Sequence, residues 1–280
     1  MTKLVSLAVW QATAEALSCG RTVEEQVETV RKFGNQGTPQ VLRARLLSGL
    51  GIPKPKAQAD TCVFFGCYRL FTDPFLVRDY LRVLDRLQVD WTYLDQEYCC
   101  GAPFAMLKAS AQRDEALKAA VEFNQQNDVL AREKGARRLA YCCMGCAHAV
   151  RSVFHEAHES HLYMPDLIFD ELGRRKLVSK PLSIGYFEGC HTFVKSAYSG
   201  GSVDWSRYRK RLDEIEGLHI TDLAKNQCCK TSAGEVVDQA VNLKVDAVLC
   251  SCNWCSSSLG AAGQGRLKMI SLPELLLGML

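Results

Sequence analysis

The sequence lacks long apolar runs. No stretch approaches the roughly 20 apolar residues that a membrane-spanning helix needs. It lacks charge of one sign: a formal net charge of +3 is too small an electrostatic footprint for nucleic acid or a membrane surface, and no base-reading motif is present. A secretory leader is not recognisable either, because the only early apolar run, Leu4 to Trp10, is short and is soon followed by Glu15. Nor is there a nucleotide loop. The stretch Gly260-Ala261-Ala262-Gly263-Gln264-Gly265 shares only its glycine content with one, lacks a Walker lysine and follows no suitable strand, so it is predicted to be a turn. These absences argue against a flavin, NAD or ATP site. They predict a cytoplasmic protein with no nucleic-acid partner and no membrane span. The 280 residues, 48% hydrophobic and 23% charged, suffice for one large or two modest soluble domains.

Cysteine, by contrast, is abundant, with fourteen in the chain. In a reducing compartment that number favours metal or redox chemistry over a disulfide scaffold. Ten of them fall into two parallel arrangements. Gly66-Cys67 is followed after 31 residues by Cys99-Cys100-Gly101, and, with 42 residues between Cys100 and Cys143, by Cys143-Met144-Gly145-Cys146. Gly189-Cys190 is followed after 37 residues by Cys228-Cys229, and after 22 more by Cys252-Asn253-Trp254-Cys255.

Periodicity places these groups. Thr61 to Phe65, Val89 to Leu94 and Arg138 to Tyr141 read as buried strands, and Asp73-Pro74 as a helix start. Residues 105–134 are helix formers, and a further helix is expected from Ala147 to about His158. The second half repeats the order, with strands over Ser183 to Phe187, Leu218 to Leu223, Val245 to Leu249 and Leu267 to Leu272. Helices are expected over 205–216 and from Gly234 to Leu243. Ahead of both halves, Thr22 with Glu25 forms a capping-box signal for a helix ending at Gly34, and a second helix follows Pro39 and stops at Gly49. The expected architecture is α/β: two tandem, pseudo-symmetric cysteine-rich domains with mainly parallel sheets, 61–180 and 181–280, preceded by a helical arm, 1–60. The arm packs on its own domain or on a partner. Every cysteine group falls just after a strand, where parallel sheets bind ligands, so each half gathers its thiolates in one crevice.

Soft thiolates select zinc, copper(I) or iron–sulfur clusters. Zinc uses four ligands, commonly from two separated Cys-x-x-Cys pairs. Each half here offers at least five cysteines including an adjacent pair, which suits a larger core. Five also exceeds what a four-iron cubane needs. Either one cysteine per half is idle, or the core is not a simple cubane.

The two half-motifs resemble the cysteine-rich domain named for Cys-Cys-Gly, as found in the B subunit of heterodisulfide reductase. The likeness rests on Phe64-Phe65-Gly66-Cys67, Asp73-Pro74, Cys99-Cys100-Gly101-Ala102-Pro103 and Cys143-Met144-Gly145-Cys146. In the second half it rests on Gly185-Tyr186-Phe187-Glu188-Gly189-Cys190-His191, Cys228-Cys229 and Cys252-Asn253-Trp254-Cys255. The resemblance implies an oxidoreductase subunit with two noncubane [4Fe-4S] clusters. The first would use Cys67, Cys99, Cys100, Cys143 and Cys146, the second Cys190, Cys228, Cys229, Cys252 and Cys255. It implies that a small disulfide or thiol substrate reacts between the clusters by one-electron steps. Electrons would come from a ferredoxin-like C subunit fed by a flavoprotein A subunit. An electron-transfer subunit of a quinone- or flavin-linked oxidoreductase, without disulfide chemistry, is the alternative the same domain allows, and a zinc protein is a third. The sequence departs from the pattern in the long gap to Cys143, the short gap to Cys252, Lys230 in place of the second glycine, and the residues ahead of Thr61. Val27 to Gly37 also resembles the helical segment that follows ferredoxin domains in related subunits.

His191 follows a cluster cysteine and is the candidate proton donor to a leaving thiolate, against the alternative of a surface histidine. His148 is a lesser candidate of the same kind. Cys62 and Cys250 are expected in the core. Cys142 competes with Cys143, which is preferred because it completes Cys-x-x-Cys with Cys146. His155, His158 and His161, near Glu156 and Glu159, are expected on a solvated polar face. Lys195 and Lys230 are candidate attractors of an anionic substrate.

Overall fold

A computed structural model describes residues 21–35, 40–67, 69–105, 111–153, 159–188, 205–223, 227, 229 and 231–280. These build two compact units: the first is centred on one sheet and runs to Met164 except for Asp85–Leu87, and the second takes Asp85–Leu87 and the described residues from Pro165 on. The protein is α/β throughout.

The first unit opens with α1 (Val23–Phe33), which has the predicted capping box. The Thr22 side chain accepts from Glu25 N–H, Glu25 accepts from Thr22 N–H, and Gly34 closes the helix in the left-handed conformation. α2 (Gln40–Gly49) follows. The sheet is built from β1 (Thr61–Phe64), β2 (Trp91–Tyr93), β3 (Arg138–Tyr141) and β4 (His161–Tyr163). Between them lie α3 (Arg69–Thr72), α4 (Pro74–Arg86), α5 (Ala102–Ala105), α6 (Ala111–Glu133) and α7 (Met144–Val153). α8 (Met164–Leu172) follows and, from Pro165 on, belongs to the second unit. The strand order is β2-β1-β3-β4 and every pairing is parallel. The chain leaves β1 to one side and returns past it to β3, so the switch point of the sheet lies between β1 and β3.

The second unit repeats this order with β5 (Val178–Phe187), β6 (Glu216–Asp222), β7 (Ala247–Cys250) and β8 (Lys268–Ile270), arranged β6-β5-β7-β8 and again all parallel. Its helices are α9 (Trp205–Asp213), α10 (Ala233–Asn242), α11 (Asn253–Gly263) and α12 (Leu272–Leu277).

Several expectations change. α7 begins at Met144 rather than Ala147, so Cys146 lies in the first turn of a helix and not in a loop. The glycine-rich stretch at 260–265 is not a simple turn: α11 runs through Gly263, and Gln264 and Gly265 end it with positive φ. β4 and α8 went unpredicted, and His161 is buried in β4 rather than set on a solvated face. His155 and His158 lie outside the described residues. The described part of the arm packs on the first unit, where Val27 and Val30 of α1 share a core with Cys99, Phe104, Ala116, Ala119, Ala120 and Phe123. Among the described residues no helix is long and apolar enough to cross a membrane.

Candidate cysteine-rich redox site

Three strand ends deliver the first thiol group. β1 ends at Phe64 and the chain turns through Gly66, with φ +79°, to Cys67. A side chain at Gly66 would place its Cβ 3.1 Å from Cys146 Sγ, so glycine keeps this turn open to the other thiols. β2 ends at Tyr93 and leads to Cys99 and Cys100. β3 ends at Tyr141, and Cys143 and Cys146 follow at the start of α7.

The thiols meet. Cys67 donates to Cys99 with Sγ···Sγ 3.6 Å, and Cys100 donates to Cys146 at 3.2 Å. Cys143 is hydrogen-bonded to the Cys146 side chain and interacts with Cys67 and Cys100. Cys99, Cys100 and Cys146 are buried; Cys67 and Cys143 are partly open. All five candidates of the first half therefore converge at the carboxyl ends of one parallel sheet. The chain holds the loops from behind. Asn127 of α6 brackets Tyr98, accepting from its N–H at 2.8 Å and donating to its C=O at 2.7 Å. Asn124 donates to Cys100 C=O at 3.0 Å. Arg43 and Glu97 also support this group. None of these four was picked out in the sequence, although two asparagines three apart inside a run of helix formers are a signal of buried polar work.

The electrostatics are uneven. The Cys143 thiol is pushed down to about 6, first by the hydrogen bond from Cys146, then by the charge of Arg69 and the backbone N–H groups of Cys146 and Gly145, against the opposing effect of burial. Cys67 is pushed up, chiefly by its hydrogen bond to Cys99 and by burial, and Cys146 by its hydrogen bonds to Cys100 and Cys143. Cys142 is also pushed up, first by burial and then by Glu97. Cys62, inside β1, is pushed up to about 12, again mainly by burial.

In the second unit Cys229, Cys252 and Cys255 come together. Cys255 is hydrogen-bonded to both of the others, which with burial pushes its thiol far up. Cys250 ends β7 beside them, buried. Cys190, Cys228, His191, Lys195 and Lys230 lie outside the described residues. His148 is buried on α7.

The donor set fits a polynuclear thiolate-bound core in the first unit: five sulfurs, soft, clustered and largely shielded from solvent. Among the described residues no three His, Cys, Asp or Glu side chains are set to hold a single metal ion.

Comparison with known proteins picks out the same cysteine-rich segment. The profile of the cysteine-rich CCG domain matches residues 38–151. That span contains all five thiols of the first group and α2. The chain is similar to the D subunit of the dihydromethanophenazine:CoB–CoM heterodisulfide reductase of Methanosarcina mazei, with 24% identity over 251 residues, covering 79% of this chain and 58% of that protein. It is also similar to the protein of the same name from Methanosarcina barkeri, with 23% identity over 245 residues, covering 77% and 56%. The chain thus spans a little over half the length of the curated relatives it matches. It carries a CCG cysteine-rich domain and is a distant homologue of the heterodisulfide reductase D subunit. The similarity is to proteins named as D subunits, and neither of these two is a B subunit.

Proposed function

We propose that this chain is the iron–sulfur catalytic subunit of a heterodisulfide reductase-like complex, acting on a disulfide or related sulfur bond by one-electron steps. The observation that carries this reading is the convergence of Cys67, Cys99, Cys100, Cys143 and Cys146 at one sheet edge. That is one thiol more than a cubane uses, and it supports a noncubane [4Fe-4S] cluster of the kind expected from the B-subunit resemblance. The second cluster is assigned to Cys190, Cys228, Cys229, Cys252 and Cys255. The two halves, 61–180 and 181–280, are then tandem copies with one cluster each.

When bound, such clusters supply single electrons and a thiophilic surface for sulfur. The chain contributes the rest. Its thiols hold the core from three strand ends, its aromatic and aliphatic side chains exclude water from behind, and the partly open Cys67 and Cys143 mark the side from which a substrate approaches. Reduction consumes two electrons and two protons for each disulfide, releasing two thiols, and His191 is proposed to supply a proton to a departing thiolate.

The electrons come from a partner. A ferredoxin-like C subunit and a flavoprotein A subunit follow from the B-subunit resemblance. The relatives' name includes dihydromethanophenazine beside the CoB–CoM heterodisulfide, so an electron donor is part of that complex's name. The second reading is that the chain passes electrons within such a complex without itself carrying out disulfide chemistry. Anaerobic purification with iron and sulfide quantitation separates these readings from zinc. About eight irons and eight sulfides per chain are expected. Electron paramagnetic resonance signals that change on adding a thiol or disulfide support the catalytic reading, and signals indifferent to both support the electron-transfer one. Zinc without iron would sink both.

A further inference from the structure

Behind the first thiol group lies a second arrangement that no thiol explains. Glu97 stands two residues before Cys99 and is only 5% exposed. Its Oε1 accepts from Phe65 N–H at 2.9 Å and its Oε2 from Gly66 N–H at 3.0 Å. Those N–H groups belong to the turn that delivers Cys67. One carboxylate therefore ties the Cys67 turn to the Cys99–Cys100 loop.

Arg43 of α2, 4% exposed, meets the same carboxylate. Nη2 lies 3.0 Å from Oε1 and Nη1 donates to Oε2 at 3.4 Å. Nη2 also donates to Leu94 C=O at 3.2 Å, and the guanidinium sits 5.3 Å from the centre of the Phe65 ring. At Gly34, after α1, an added Cβ would lie 2.4 Å from the Glu97 carbonyl oxygen, so the loop also presses against this segment.

Burying an ion pair costs desolvation that its attraction often does no more than offset, so an apolar pair would serve stability about as well. The charged pair supplies two things an apolar pair cannot. It offers two acceptor oxygens to two successive N–H groups, and a guanidinium cancels the carboxylate charge directly behind a set of thiolates. Without that cancellation the carboxylate would oppose further negative charge in the site. The second half has no counterpart in sequence: Asn226, uncharged, stands two residues before Cys228.

We propose that Arg43 and Glu97 are positioning residues of the first thiolate site. Glu97 clamps the Cys67 turn to the Cys99–Cys100 loop, and Arg43 balances its charge so that the site accepts an electron-rich metal–thiolate core. The charge-balance half rests on the iron–sulfur reading above; the clamp half does not.

Two measurements on the full chain test it. In the metal-free protein under anaerobic reducing conditions, alkylation of each cysteine is followed by mass spectrometry. Glu97→Gln weakens two charge-assisted bonds, so Cys67 and Cys99 should react about tenfold faster than in the wild type, with Cys252 and Cys255 unchanged. Unchanged Cys67 and Cys99 rates, or equal acceleration of all four, overturn the clamp. If Glu97→Gln does not fold, Glu97→Asp carries this arm: it keeps the charge, shortens the reach to the Phe65 and Gly66 N–H groups, and should accelerate Cys67 and Cys99 alone. In reconstituted protein the midpoint potential of the first site is read by spectroelectrochemistry. Arg43→Gln should lower it, Glu97→Gln should raise it, and the double variant should return towards wild type. A merely structural role moves both single variants the same way or neither, and that result overturns the charge balance. Selective Cys67 exposure in a chain that takes up no iron upholds the clamp and overturns the cofactor reading instead.

Discussion

Tyr141 and Cys250 hold the same register position in their two sheets. Tyr141 ends β3 and pairs with Phe64 of β1; Cys250 ends β7 and pairs with Phe187 of β5. Two residues back along β3 and β7, Leu139 pairs with His161 and Val248 with Met269, so those two partners are likewise equivalent. The first sheet therefore carries a Tyr141–His161 hydrogen bond of 2.8 Å where the second carries a thiol and a thioether. The two halves share a fold but not a polar interior.

The first sheet should depend on that bond. His161 is 1% exposed, and its imidazole also approaches Asp128 at 3.5 Å. Tyr141→Phe removes the hydroxyl facing Nδ1 inside the core, which should cost about 1–3 kcal/mol. Chemical denaturation followed by near-ultraviolet circular dichroism checks it. A loss below a few tenths of a kcal/mol would mean the bond is not formed in solution. Cys250→Ala, its counterpart, should leave iron content unchanged, because Cys250 belongs to the end of β7 while the hydrogen-bonded thiols of this half are Cys229, Cys252 and Cys255.

Gly101 makes a sharper case. Its φ is +77°, and an added Cβ would lie 2.2 Å from Ala120 Cβ on α6. Gly101→Ala meets both a left-handed backbone penalty of about 1–3 kcal/mol and a contact that α6 must yield to. The variant should lose stability and first-site iron together, measured by thermal melting and metal analysis. In the second half the sequence places Lys230 in this slot, where a left-handed turn would be costly.

Much of this was legible in the sequence. The first thiol group is legible because each of its cysteines falls shortly after a strand, and Thr22 with Glu25 marks α1 by side-chain chemistry alone. What escaped lay in contacts between distant segments. Arg43 and Glu97 look like ordinary surface charges until the fold joins residues 54 apart. β4 is three residues long and draws its stability from β3, not from propensity. α11 begins Asn253-Trp254-Cys255-Ser256-Ser257-Ser258, residues with modest intrinsic helix preference, and forms because its buried face packs in the second core.

Thiol reactivity should report the uneven electrostatics. Below pH of about 6, Cys143 of the metal-free chain is protonated and unreactive; above it the thiolate forms. Its alkylation rate should therefore rise about tenfold per pH unit up to that point and then level off, while Cys67 and Cys146, pushed up, stay slow at neutral pH. Because the folded state binds fewer protons at Cys143 than the unfolded chain between about pH 6 and 8.5, this group adds stability that is lost as pH falls through about 6. Cys146→Ala removes the principal cause and should move the inflection up towards about 8.5. An inflection already near that value in the wild type would refute the assignment.

Metal counting by site tests the asymmetry between the halves. Cys67→Ser and Cys143→Ser each strike the first group, and Cys252→Ser strikes the second. If each half holds its own four-iron core, each single variant should fall from about eight irons to about four. The remaining spectra should differ, because the first group is backed by the Arg43–Glu97 pair, whereas in the second half the uncharged Asn226 holds the sequence position that corresponds to Glu97. Cys142→Ser should retain the full count, since its thiol is buried and raised while Cys143 bonds to Cys146. Loss of half the iron in Cys142→Ser with full retention in Cys143→Ser would exchange their roles. Retention of full iron in Cys252→Ser would confine the metal chemistry to the first unit and leave the second as a structural copy.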